Sequence, residues 1–144
     1  DSSESMIKWA QQQYPDIKFI VSDALALPFV EQFDVVFSNA VFHWITDHNA
    51  LLNNIHKVLK PGGLLVCEFG ANGNIATIEN AFMRVSKDLR YEYSPKFNFP
   101  TSEYFAALLR KNGFVIDKIY DYDRPTPLKD NEKGRQKLLK MLRI

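Results

Sequence analysis

The sequence predicts an α/β fold: a doubly wound, mostly parallel sheet with helices packed on both faces. Three observations carry that expectation. The short runs Ile17–Val21, Phe33–Ser38 and Leu64–Phe69 are apolar at nearly every position instead of alternating, which marks strands buried on two sides. Between and after them lie segments of ten or more residues whose apolar positions recur every three to four residues, the period of a helix. Helix and strand alternate from the first residue, the pattern of right-handed βαβ units.

Taken in order, Met6, Ile7, Ala10 and Tyr14 share one helical face, and Pro15-Asp16 ends the run. The strand Ile17–Val21 leads into a loop through Pro28, and Phe33–Ser38 follows as the second strand. Leu51, Leu52, Ile55, Val58 and Leu59 form an amphipathic helix with Thr46 or Asp47 as its cap. Lys60-Pro61-Gly62-Gly63 stops that helix, and Leu64–Phe69 is the third strand. A helix over Ile75–Leu89 precedes an aromatic loop, Tyr91–Pro100. Ser102–Lys111 is helical up to Asn112-Gly113, Phe114–Tyr122 reads as a further strand, and a last helix begins near Glu132 and is still running at Ile144. One domain accommodates all 144 residues, with a first half (1–74) and a second half (75–144).

The bulk chemistry narrows the function classes. A net charge of +1 from 18 basic and 17 acidic side chains provides no field for nucleic acid or a membrane surface. The lysine-rich end, Lys129 to Arg143, reads as a solvated helix face. The single cysteine, Cys67, sits in an apolar run. It excludes an intrachain disulfide, reads as a buried inert thiol and fits a reducing cytoplasm. No apolar stretch approaches the roughly 20 residues of a membrane span, and residues 1–14 do not resemble a signal peptide.

In open α/β sheets, ligands bind beyond the carboxyl ends of the strands, so the residues just past each strand are the candidates. Asp1 stands directly before a helix: its carboxylate can take both hydroxyls of a ribose, or serve with Ser2, Ser3 and Glu4 as a cap. Asp23, with Ala24 behind it, suits an adenine amino group or a plain turn. Asn39 and Ala40 follow the middle strand, where small residues let a ligand approach the backbone. His43 and Trp44 come next, as site residues or as packing. His48 and His56 read as exposed helix positions. Gly70 and Gly73 follow the third strand, giving an open loop or a turn.

Together these residues resemble a known family. Asp1-Ser2-Ser3 with Met6-Ile7, Asp23-Ala24 with Leu27-Pro28-Phe29, Phe33 to Ala40 with His43-Trp44-Ile45, and Leu59 to Gly63 look like successive motifs of class I S-adenosylmethionine-dependent methyltransferases. The similarity runs to about residue 128, through Asp123 to Leu128, and is greatest to the trans-aconitate 2-methyltransferase-like, type 11 branch, with malonyl-acyl-carrier-protein methyltransferases near it. The resemblance implies S-adenosyl-L-methionine as cofactor, with Asp1 on the ribose, Asp23 and Ala24 on the adenine, and Asn39 and Ala40 along the methionine and sulfonium. It places Trp44 and His43 beside the methyl-transfer position, His43 as the catalytic candidate. It also implies that a first strand, a Gly-x-Gly loop and most of a second strand precede Asp1, and that a final strand follows Ile144. The expectation is therefore a partial domain, truncated at both ends and inactive as it stands. Its strands Ile17–Val21 and Phe114–Tyr122 would lack neighbours, leaving exposed edges prone to self-association.

Methyl transfer is a displacement at an activated sulfonium, in which alignment supplies on the order of 7–11 kcal/mol. The expected partner is a small-molecule methyl acceptor. A carboxylate acceptor needs no base, and Arg84, Arg90 or Arg124 could hold it; for an oxygen or nitrogen acid, His43 is the evident base. Two rival readings stand beside this one: a nicotinamide- or flavin-dependent oxidoreductase, and a non-catalytic module presenting Tyr91, Tyr93, Phe97 and Phe99, which in the family view form a lid or substrate wall.

Overall fold

The computed structural model describes residues 1–125 together with 127, 133, 134 and 136. Apart from Lys133, Gly134 and Gln136, the closing helix expected from Glu132 and the lysine-rich end fall outside the described residues. Among those described, no helix is long and apolar enough to cross a membrane.

Helix α1 spans Glu4–Gln13. Ser3, rather than Asp1, is its cap, accepting a hydrogen bond from the Met6 N–H at 3.4 Å. Strand β1, Phe33–Asn39, runs parallel to β2, Leu59–Glu68, in register Val35 to Leu64 through Asn39 to Glu68. Parallel strands need a crossover, and here it is α2, His48–Val58, preceded by a single 3-10 turn over Phe42–Trp44. Asp47 caps α2 through the Ala50 N–H at 2.8 Å. Helix α3 covers Ala76–Asp88 and α4 Ser102–Lys111; α4 stops where Gly113 takes a φ of +85°, which glycine adopts without strain.

The core lies between one face of the sheet and helices α2 and α4. Leu51, Leu52, Ile55 and Leu59 meet Phe105 and Leu108 there, with Phe42 reaching in from the 3-10 turn. From the sheet, Val36, Leu65 and Cys67 point to the same side. Their neighbours point away: Val35, Phe37, Leu64 and Val66 are exposed, and the register sets Val35 beside Leu64 and Phe37 beside Val66. The sheet is thus parallel and α/β as expected, but among the described residues it has two strands, and one of its apolar faces is open.

Ile17–Val21 and Phe114–Tyr122 join no ladder, which corrects their reading as strands. Both have the composition of a strand, yet strand structure is completed by a hydrogen-bonded neighbour. The segment after α4 instead faces β2 across a groove of about 1540 Å³. It is tied down at its ends, by Phe114 against the His56 ring, by the Ser102 hydroxyl donating to Asp121 at 2.9 Å, and by Arg124 on Glu68 at 2.7 Å. At the amino end of the strands, Lys60 donates to both carboxylate oxygens of Asp34, at 2.8 and 2.9 Å, and holds that carboxyl below its usual value.

Burial pushes the Cys67 thiol up to about 11. Between an unfolded value of 9.0 and that point, the unfolded chain releases the thiol proton while the native chain keeps it. This group therefore lowers stability as pH rises through that window. At pH 8 a disulfide reagent should react with Cys67 slowly in the native protein and promptly in denaturant; equal rates would place the thiol at the surface.

Candidate active site

The carboxyl ends of β1 and β2 finish side by side, and the chain leaves each in a sharp turn. The Ala40 N–H donates to the Glu68 carbonyl at 2.7 Å, closing the ladder, and Ala40 then takes a φ of +58°. A left-handed residue that is not glycine costs about 1–2 kcal/mol. A small side chain keeps that cost low and turns the backbone off the sheet, so that Phe42 enters the core while His43 stays half-buried at the rim.

After β2, the Gly70 N–H donates to His43 Nδ1 at 3.2 Å. A Cβ at Gly70 would lie 2.6 Å from Phe99 Cε1 and 2.9 Å from Asn74 Nδ2, so this approach requires glycine. The 91–100 loop lies over the same corner. The Asn98 N–H donates to the His43 carbonyl at 2.9 Å, and the Asn98 side-chain amide donates to the Thr46 carbonyl at 2.9 Å and to His48 Nδ1 at 3.3 Å. His48 is 2% exposed, and its Nε2 lies 2.9 Å from the Phe42 carbonyl. With Nδ1 accepting from an amide, Nε2 must carry the proton and donate to that carbonyl.

The expectation of an exposed His48 is thereby corrected: it is the first residue of α2, and the capped turn at Asp47 points it inward. His56 is exposed as expected, stacked edge-on against Phe114 at 5.3 Å. Phe97 and Phe99 are half-buried rather than displayed. They form an aromatic wall with His43 and Trp44: Phe99 lies 5.5 Å from His43, Phe97 lies 4.6 Å from Trp44, and the two phenyl rings stack at 5.4 Å. Burial, and secondarily His48, depress the His43 pKa, so its imidazole is neutral near pH 7.

The second group of candidates lies at the start of the chain. The Ser22 N–H donates to the Asp1 carbonyl at 3.0 Å, bringing Asp1 beside Asp23. Each carboxylate uses one oxygen locally, Asp1 on the Ser3 N–H at 2.8 Å and Asp23 on the Leu25 N–H at 2.9 Å. The second oxygen of each is left uncommitted by the hydrogen bonds among the described residues. Ala24 and Leu25 pack on the core cluster that contains Phe42, which ties this corner to the rim formed by Asn39, Ala40 and His43. The large groove is lined by Asn39, Ala40, His43 and Gly70, whereas Asp1, Asp23, Ala24 and Trp44 lie outside its lining. The structure therefore gathers the candidates into two groups, one of Asp1, Asp23 and Ala24 and one of Asn39, Ala40, His43 and Trp44, joined through the core.

Sequence reasoning missed Asn98, which stitches the aromatic loop to the rim, and it did not assign Gly70 its contact with His43. Asn98 had a faint signal, a polar residue between two phenylalanines in a loop otherwise read as aromatic. Arg124, one of three candidate anion holders, is engaged by Glu68 at the end of β2.

Residues 1–67 match the family model described as a methyltransferase domain. The chain is 31% identical over 125 residues to the trans-aconitate 2-methyltransferase of Agrobacterium fabrum, covering 80% of this chain and 47% of that one. It is 30% identical over 127 residues to malonyl-[acyl-carrier protein] O-methyltransferase 1 of Ilyobacter polytropus, covering 82% and 47%. It thus spans about half the length of these curated relatives. In fold it is similar to the YcgJ protein of Bacillus subtilis, with a TM-score of 0.67 and 20% identity, over 99% of this chain and 64% of that one.

Proposed function

The chain belongs to the methyltransferase-domain family, and on that premise we propose that the intact protein transfers a methyl group from S-adenosyl-L-methionine to a small-molecule carboxylate. The observation behind this reading is the Ser22–Asp1 backbone bond, which draws the chain at Asp23 to Asp1, while Ala24 packs on the core cluster that also holds Phe42. The donor set fits the cofactor. Asp1 offers a carboxylate oxygen to a ribose diol, and Asp23 offers one to an exocyclic amine, with Ala24 leaving room for a flat base. Asn39 and Ala40 lie where a short polar and a small residue can border the methionine portion. When bound, S-adenosyl-L-methionine supplies a methyl group already activated on a sulfonium.

The residues of this chain orient and enclose. The wall of Trp44, Phe97 and Phe99 borders the rim, where it would shield a bound acceptor from water, and the Asn98 N–H ties that wall to the His43 carbonyl in the 3-10 turn. The carboxylate acceptor is supported by the relatives named above, whose acceptors, trans-aconitate and a malonyl group, are carboxylic acids. Residues 1–74 form the cofactor half in this reading and residues 75–144 the acceptor half. Family membership displaces the nicotinamide- or flavin-dependent alternative.

The intact protein, incubated with methyl-labelled S-adenosyl-L-methionine, should transfer label to at least one member of a set of small di- and tricarboxylates that includes trans-aconitate. Transfer only to amines or phenols would overturn the acceptor class. No transfer, with no affinity for S-adenosylhomocysteine, would overturn the reading as a whole.

A further inference from the structure

His43 has one ring nitrogen already engaged. Its partner there, the Gly70 N–H, can only donate, so Nδ1 presents a lone pair at 3.2 Å. In a neutral imidazole the proton then resides on Nε2, and Nε2 has no hydrogen-bond partner among the described residues. The ring lines the groove beside Asn39 and Ala40. Phe97, Phe99 and Trp44 flank it with uncharged rings, and the titratable group acting on it is His48. His48 is itself locked between Asn98 and the Phe42 carbonyl.

For His43 to take a proton at Nε2, its own proton would have to move to Nδ1 and face the Gly70 N–H. Two donors would then oppose each other at hydrogen-bond distance, with neither satisfied. Neither partner can move aside easily. The Gly70 backbone is pinned under Phe99, and the His43 backbone is held by Asn98.

Resting on the function proposed above, we infer that His43 serves the acceptor as a fixed hydrogen-bond donor through Nε2–H and not as a proton acceptor. The group it serves is consequently one that is already anionic near neutral pH, a carboxylate and not a phenol, alcohol or ammonium. A carboxylate oxygen forms the new bond to the methyl carbon while that carbon's bond to the sulfonium breaks, the electron pair remaining on sulfur. No proton changes hands, and the imidazole only holds the carboxylate in place.

Two measurements on the intact protein test this. Nitrogen-15 NMR of histidine-labelled protein should show His43 as the neutral Nε2–H tautomer, with Nδ1 unprotonated; the Nδ1–H tautomer would overturn the inference without any assay of activity. For kinetics, His43→Ala should lose about 10- to 100-fold in kcat/KM for a carboxylate acceptor, the value of a hydrogen bond to a charged group. His43→Gln, which reaches as far with an N–H but cannot act as a base, should recover most of that loss. S-adenosylhomocysteine affinity equal to that of the unaltered protein confirms that both variants are folded. The unaltered enzyme should also show a flat kcat/KM between about pH 6 and 8, because a donor needs no deprotonation. A glutamine variant as inactive as alanine, together with an acidic limb at the histidine pKa, would establish His43 as a base and overturn the inference while leaving methyl transfer intact. Failure of the unaltered protein to methylate any carboxylate would overturn both.

Discussion

Leu52→Ala is expected to destabilise the protein by about 2–5 kcal/mol, the range for emptying a large aliphatic site in a core. Leu52 is fully buried, next to Leu51 at 1% exposure and within a cluster closed by Phe42 and Phe105. The magnitude falls toward the upper part of that range because the site is bounded on several sides. The sheet, α4 and the 3-10 turn each contribute side chains held by their own backbone bonds, so the walls cannot collapse into the space. Against a typical stability of about 5–15 kcal/mol, the loss is large, and it strikes the crossover that joins the two strands. Urea unfolding of the intact protein should show a lowered midpoint with an unchanged slope. Leu52→Met, close to volume-conserving, should cost under about 1.5 kcal/mol. A midpoint unmoved by alanine would show that α2 does not pack as described.

Asp1→Ala should weaken binding of S-adenosylhomocysteine about 10- to 100-fold, on the scale of about 1.5–3 kcal/mol for hydrogen bonds to a charged group. The structure allows this role to be separated from a purely local one. Asp1 Oδ1 already accepts from the Ser3 N–H, so Asp1→Asn can keep that bond through its amide oxygen while losing the charge and one acceptor. If Asp1 holds a ribose diol, asparagine should bind nearly as poorly as alanine and leave stability unchanged. If Asp1 only shapes the entry to α1, alanine should lower stability, asparagine should restore it, and affinity should move in neither. Asp23→Ala should weaken affinity less, because it removes one contact to an amine where Asp1 meets two ribose hydroxyls. Calorimetric titration of the three variants, with thermal unfolding beside it, distinguishes the two outcomes.

The legibility of this chain varies with how local the governing physics is. Helix α4 was readable to its last residue because the apolar spacing and Asn112-Gly113 are local signals. The same holds for α2, where Asp47 proved to be the cap. Phe33–Ser38 and Leu64–Phe69 were readable as strands from their apolar runs, but Leu59 and Lys60-Pro61-Gly62-Gly63, read as helix end and turn, belong to β2, and β2 ends at Glu68. Ile17–Val21 and Phe114–Tyr122 carry similar composition yet form no ladder, since pairing depends on chain that is distant in sequence. His48 was misread for a related reason. Helical phase alone cannot reveal that Asn98, fifty residues later, would arrive to accept it into the interior.

The candidate site shows the same division. Residue types at the strand ends pointed to Asp1, Asp23, Asn39 and His43, because the fold class says where to look. The state of those residues was not legible. That Asp1 and Asp23 are neighbours follows from one backbone bond at Ser22, and that His43 presents a proton follows from the amide of Gly70. Such facts arise only when two loops meet.

The account stands on a single nucleoside-binding rim shared by two groups of residues. A crystal structure of the intact protein soaked with S-adenosylhomocysteine tests it most directly. The account predicts the ribose on Asp1, the adenine between Asp23 and Ala24, and the sulfur alongside Asn39 and Ala40, with His43 facing the vacant methyl position. Density for the nucleoside elsewhere, or bound density with Asp1 and Asp23 untouched, would contradict it.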